Sequence, residues 1–434
     1  MAFLDPRDPR RGYAAAHHPV WGIHVYVSED AGHSWQALAE VPRFGTDDTP
    51  EQLRMIWCLA PGPPQRPETL YAGIEPAGLF VSHDAGDSWQ PLPGFNNHPT
   101  RRLWSPAKGG LAVHSVQVDP EDPRRLYAAL SAGGVFRSDD AGDHWLACNH
   151  GVRAPYLPGH APEAGHCVHR LLVHPAGGGR LYQQSHNGVY VSDDHGAHWE
   201  EITDGLPSDF GYALATDPAD RDRLYTVPEQ DSQMRATVDA RLRVYTSSDT
   251  GLHWRPLEQG LPQENVFVTI LRDGLDSDPL TPTGLYLGTS SGHLFASNDG
   301  GAHWYLMAGF LPGILSVRAS LTGVGTMTGL LEALGIEGGI VCAVGAGGKK
   351  TTLYRIAGLW PGSYALTATV FTTPPPRRLW DRRILASGAE LQASVLAAGE
   401  HRRLAYAGPS DKPGRVAGVA RSSLRTYTVK PDAG

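Results

Sequence analysis

The chain has 434 residues, 41% hydrophobic and 19% charged, with 51 glycines, 35 prolines and a formal charge of -8. This composition describes a turn-rich globular protein and excludes a disordered or mainly helical one, and the acidic balance leaves no basic footprint for nucleic acid and no polybasic membrane patch. Cys58, Cys148, Cys167 and Cys342 stand far apart without CxxC spacing, so they read as reduced thiols and not as a zinc knuckle or disulfide framework. The N-terminus has no apolar leader and no run of about 18 apolar residues occurs. The chain as given is therefore expected to be cytoplasmic, with no membrane partner.

In chain order, Ala2-Phe3-Leu4 reads as the end of an inner strand, and Asp5-Pro6 opens a turn leading to Gly12-Tyr13. The same turn returns as Asp119-Pro120 before Leu126-Tyr127, with weaker copies at His174-Pro175 and Asp217-Pro218. After each period a short aromatic or β-branched run, such as Val25-Tyr26-Val27 or Leu79-Phe80-Val81, enters the pattern Ser-x-Asp-x-Gly-x-x-Trp. That pattern occurs six times, with its aspartates at Asp30, Asp84, Asp140, Asp194, Asp249 and Asp299, and its tryptophans are spaced 54, 56, 54, 55 and 50 residues apart.

The chemistry of the repeat is structural. Serine and aspartate accept backbone N–H groups within a turn, glycine supplies a positive φ, and tryptophan packs back over the hairpin. Six equivalent copies on a ring do not converge on one point, which argues against a catalytic role for these aspartates. Four short strands per period of 50 to 56 residues match the blades of a propeller. The expected fold is all-β: a β-propeller over residues 1–319 with six four-stranded blades, or seven, plus a small C-terminal β-rich region over residues 320–434. Ile314-Leu315-Ser316-Val317 is expected to close the ring by completing the first blade or a seventh.

The six boxes, the Leu-Tyr-Ala strands, and segments such as Trp57-Cys58-Leu59-Ala60-Pro61-Gly62 and Glu75-Pro76-Ala77-Gly78-Leu79-Phe80 resemble the bacterial BNR/Asp-box repeat family (WD40/YVTN/BNR-like) over residues 1–319. The resemblance implies a propeller of the kind found in sialidases, xyloglucanases, sortilin-type receptors and a photosystem II assembly factor, and so implies fold more strongly than function. The chain lacks the Arg-Ile-Pro signature and an Arg triad with a Tyr/Glu pair, so a typical sialidase is not expected.

A site is expected on loops opposite the boxes, around the central channel. Candidate substrate-binding residues there are His17, His18, Trp21, Trp57, His98, Arg101, Trp104, His114, His169 and His186, because flat aromatic faces beside polar groups suit pyranose rings. Packing of blade interfaces is the competing role for the tryptophans. Glycoside hydrolysis needs two carboxylates about 5 to 9.5 Å apart, and Glu75, Asp209, Glu229 and Glu264, from different blades, are the candidates. His166 and His169 would point to opposite faces of a strand, and no metal or other cofactor is expected.

Beyond residue 319 the character changes, with a net charge of +7 over residues 319–434 against -15 before them. Residues 354–368 resemble the strand-turn-strand of a carboxypeptidase-regulatory-like sandwich. Residues 326–334 could form a short helix, and residues 374–376 and the last twenty look loose. Two functions remain open: glycoside-hydrolase-like carbohydrate recognition with hydrolysis by a carboxylate pair, or a non-enzymatic scaffold docking a protein ligand. The chain is expected to be monomeric.

Overall fold

The computed structural model describes residues 1–320 apart from 45–52, 107–109 and 161, and from the remainder 364–366, 375, 377–386, 390–391, 393–394, 403–407, 409–410 and 416–417. Contacts divide the chain into two compact units, Met1–Gly323 and Val324–Gly434.

The first unit is a six-bladed propeller. Each sequence period folds into its own four-stranded antiparallel sheet, with the strands adjacent in chain order. Blade 1 uses Ala2–Asp5, Asp8–His18, Gly22–Ser28 and Gln36–Ala37. Blade 2 runs from Met55–Pro61 to Gln90–Pro91, blade 3 from Val113–Val118 to Leu146–Ala147, and blade 4 from Val168–Val173 to Glu200–Glu201. Blade 5 runs from Gly211–Asp217 to Arg255–Leu257 and blade 6 from Leu275–Ser277 to Tyr305–Ala308.

Blade sheets are covered on both faces, so their middle strands are largely buried, polar residues such as Gln183, Gln184 and Thr226 included. Leu126–Leu130 is buried at every position. Side chains alternate across the sheet: Ala128 packs with Leu79 and Phe95 of blade 2, while Tyr127 packs with Leu171 and Tyr190 of blade 4.

The Ser-x-Asp-x-Gly-x-x-Trp turns join the third and fourth strands. In blade 3, Ser138 Oγ donates to Asp140 Oδ1 at 2.8 Å and accepts from Gly142 N at 2.9 Å, and His144 N donates to Asp140 Oδ1 at 2.9 Å. Gly142 sits at φ 102°, and the preceding Ala141 is itself left-handed at φ 64°. The tryptophan ring rests on the preceding blade: Trp199 Nε1 donates to Cys148 O and Trp254 Nε1 to Ile202 O.

Ring closure differs from the expectation. Blade 1 is complete without the chain's later residues, and residues 314–317 instead run beside blade 6, where Ser316 bridges Asp273 in parallel and Val317 N donates to Asp273 O at 2.6 Å. The seam between blades 6 and 1 is correspondingly thin. The second-strand tyrosine is at most 4% exposed in blades 1 to 5, but Tyr286 of blade 6 is only half-buried. Trp35, whose ring would rest on blade 6, is 38% exposed, against about 5% for Trp145, Trp199 and Trp304.

In the second unit, Tyr364–Leu366, Arg382–Leu385 and Arg403–Ala407 form a parallel three-stranded sheet with Arg403–Ala407 in the middle. Most of the expected strand-turn-strand at residues 354–368, and the short helix at residues 326–334, lie outside the described residues.

Candidate functional site

First and third strands of a blade run in the same direction, so the starts of the first strands gather at the end of the ring opposite the Ser-x-Asp-x-Gly-x-x-Trp turns. In blades 2 to 5 the first strand carries a register shift near its start. The residues passed over are Trp57 in blade 2, His114 in blade 3, His169 in blade 4, and Tyr212 with Ala213 in blade 5. A bulge of this kind leaves a residue out of the ladder and re-aims its side chain.

These residues surround the axial mouth. Arg272, just ahead of the first strand of blade 6, reaches across it, with its guanidinium carbon 5.2 Å from the Trp57 ring centroid and 5.3 Å from that of Tyr212. Arg235, on the long connection after the second strand of blade 5, lies 5.9 Å from the Tyr212 ring. His169 contacts Tyr212 at 4.5 Å and His186 at 5.4 Å, and His186 packs on Tyr156 and Phe210. Beneath this layer, Asp273 accepts hydrogen bonds from Arg170 and Arg318, which hold its carboxyl well below the usual carboxylate range despite its burial.

Cys167, His169 and His186 bring one sulfur and two ring nitrogens within 4.8 Å of one another. His169 Nδ1 is engaged by Gly211 O at 2.6 Å, leaving Nε2 as its free ring nitrogen. Burial, then the field of Arg272, keeps His169 far below the ordinary imidazole range, and burial, then Arg235, lowers His186, so both rings are neutral at pH 7. Burial pushes the Cys167 thiol up to about 11. The donor set suits a soft metal by type, but Arg272 and Arg235 place positive charge beside it.

The four candidate carboxylates do not form a pair, and three of them hold separate partners. Glu75 Oε2 accepts from Trp57 Nε1 at 3.0 Å and lies 3.8 Å from Arg54. Asp209 accepts from Asn187 Nδ2 at 3.3 Å and stands 3.9 Å from Arg153. With Glu201, Thr203, Asp204 and Ser208 it lines a shallow surface depression of about 520 Å³. Glu229 is sealed: its Oε1 accepts from Ile270 N at 3.0 Å, Oε2 has no partner, and burial pushes its carboxyl up to about 8. Glu264 is exposed on the segment between blades 5 and 6.

Among the aromatic and basic candidates, Trp57, His169 and His186 meet at the mouth. His114, on the same ring of bulges, is buried between Ser115 and Val168 O, and burial brings it down to about 3. His17, His18 and Trp21 lie on the exposed second-to-third-strand turn of blade 1, where His18 Nδ1 accepts from Val20 N and Trp21 N. His98, Arg101 and Trp104 belong to a short helical insertion between blades 2 and 3. Trp104 is 5% exposed against Phe95 and Phe136, His98 bonds Thr100 and Trp145 O, and Arg101 donates to Ala77 O. Trp104 therefore takes the packing role and leaves no face for a ligand.

Sequence reasoning passed over Tyr212, Arg235 and Arg272. A signal for the first existed, because Trp57, His114, His169 and Tyr212 each stand six residues before a turn proline, at Pro63, Pro120, Pro175 and Pro218.

No family model matches the sequence. The chain is 27% identical over 273 residues to a xyloglucanase of Paenibacillus sp, covering 58% of this chain and 22% of that protein. It is 23% identical over 291 residues to the oligoxyloglucan-reducing end-specific xyloglucanase of Emericella nidulans, covering 59% of this chain and 34% of that one. The chain thus spans about a fifth to a third of the length of these curated relatives. Among solved structures, the GH74 xyloglucanase from Xanthomonas campestris superposes with a TM-score of 0.52 at 20% identity, over 70% of this chain and 46% of that one. An ancestral GH74 enzyme gives 0.51 at 17%, over 70% and 38%. What these structures share with the chain is the β-propeller fold.

Proposed function

We propose that this chain is a carbohydrate-recognition propeller of the Asp-box kind, binding an oligosaccharide at the axial mouth opposite the boxes. The observation that carries the reading is the partly exposed Trp57 and the exposed Tyr156 beside Glu75 and the neutral His186, over a buried bed of Phe210, Tyr212 and His169, a mixture of flat apolar faces and fixed polar groups of the kind sugar rings require. Relatives named as xyloglucanases support it.

Recognition is favoured over hydrolysis because Glu229, the acid whose pKa suits a general acid, is fully buried, while Glu75 and Asp209 are engaged elsewhere. The test is calorimetric titration with xyloglucan oligosaccharides of the wild type and of Trp57→Ala and Tyr156→Ala. Each variant is expected to weaken binding by about fivefold to thirtyfold, since stacking on one aromatic contributes on the order of 1 to 2 kcal/mol. Absence of binding by any neutral or acidic oligosaccharide would sink the reading. A second reading, a scaffold that docks a protein, is favoured by one observation: Leu306, Met307, Phe310 and Leu311 of blade 6 are exposed, Phe310 at 97%.

A further inference from the structure

Arg272 is an unusual cation. Its Nε is sealed from water and has no hydrogen-bond partner, and among the described residues no carboxylate or carbonyl accepts from its guanidinium. Its neighbours are the Trp57 and Tyr212 rings. A half-buried guanidinium without a counter-ion is costly, and the nearby acids do not relieve it. Asp273 gives its carboxylate to Arg170 and Arg318, Glu229 is kept protonated by burial, and Glu75 is held by Trp57 and Arg54. Arg235 adds a second positive charge over the same tyrosine, with Ser232 O as its one side-chain hydrogen-bond acceptor among the described residues. The mouth thus presents an uncompensated guanidinium beside the Trp57 and Tyr212 rings.

We infer that Arg272, with Arg235 beside it, receives the carboxylate of an acidic sugar, so that the oligosaccharide taken at the axial mouth contains a uronic acid. This rests on the carbohydrate reading above and narrows it. The Trp57 and Tyr212 rings flank the guanidinium, and with Nε sealed a carboxylate can meet its two terminal nitrogens with two parallel hydrogen bonds. The occupant is charged where the xyloglucan in the relatives' names is not.

The test uses the full chain, with titrations of a glucuronic acid-containing oligosaccharide, its carboxyl-reduced neutral counterpart, a xyloglucan oligosaccharide and an acidic peptide, against wild type, Arg272→Gln and Arg272→Lys. The acidic oligosaccharide is expected to bind the wild type at least about tenfold more tightly than its neutral counterpart, with an affinity that falls as salt rises. Arg272→Gln should erase that preference and Arg272→Lys should restore it only in part. Circular dichroism of both variants should match the wild type, because among the described residues the guanidinium makes no hydrogen bond or ion pair and loses only its contacts with the two rings. Equal binding of acidic and neutral sugars, unmoved by Arg272→Gln, overturns the inference and leaves the carbohydrate reading standing. Binding of the peptide with no sugar overturns both.

Discussion

At the rim, six turns repeat one set of contacts: the glycine N–H meets the serine Oγ at 2.8 to 2.9 Å in every blade. At the axial mouth, the equivalent positions carry Trp57, His114, His169, Tyr212 and Asp273; His114 and His169 both bond the carbonyl just before the next blade's bulge, while Trp57 bonds Glu75 and Asp273 bonds Arg170 and Arg318. The rim is where blades are alike because each must turn the same hairpin and seat a tryptophan on its neighbour. The mouth is where they differ, because a blade contact repeats there only between His114 and Val168 O and between His169 and Gly211 O among the described residues, and no common turn dictates what fills the axis. The shared rim pattern is still not equally buried in every blade, as Trp35 of blade 1 is 38% exposed and Trp145 of blade 3 is 5% exposed.

Trp145→Ala should cost about 3 to 5 kcal/mol by opening a cavity against Phe95, while Trp35→Ala should cost under about 1 kcal/mol. Denaturant unfolding measures both. Equal losses would mean that the seam between blades 6 and 1 is packed like the others.

Glu229 gives a pH-dependent effect at the mouth. Its folded pKa of about 8 lies above its unfolded value, so the folded state holds a proton that the unfolded state releases. Stability should therefore fall as pH rises between about 4.3 and 8, by up to about 1.4 kcal/mol per pH unit. In Glu229→Gln that slope should flatten, and unfolding midpoints at pH 5 and pH 8 would reveal it. A slope unchanged by the substitution would show that the carboxyl is not buried as described.

Ser138→Ala should cost about 1 to 3 kcal/mol, because the buried Gly142 N–H loses its acceptor. A loss under about 0.5 kcal/mol in thermal unfolding would show that the turn holds its shape without this bond.

The smallest effect belongs to the exposed rim aspartates. Hydrogen bonds, first from the Ser34 and His253 side chains, hold Asp30 and Asp249 down to about 2. A depressed folded pKa adds stability above the unfolded value of about 3.9, which is lost as pH falls towards 2. Acid titration followed by NMR should find these carboxyls ionised below pH 3, and ordinary midpoints would contradict the turn geometry.

The propeller and its six turns were legible because a repeat states its structural unit many times over, and a Ser-x-Asp-x-Gly-x-x-Trp turn is held by residues within eight positions of one another. Trp57, His169 and His186 were legible as a chemical mixture on the right face. Glu229 was legible as an acid but not as a sealed one, since burial depends on the segments around Ile270 and Thr237 that close over it. Trp104 reads the same in sequence whether it faces a sugar or Phe95 and Phe136.

Local hydrogen bonding and strand periodicity, both written in consecutive residues, thus determined the blades and their turns from sequence alone. Tertiary structure decided what meets at the axis. Arg272 lies 60 residues from Tyr212 and 215 from Trp57, and only the curling of six sheets about one axis, with a bulge re-aiming the first strands, sets the guanidinium between their rings.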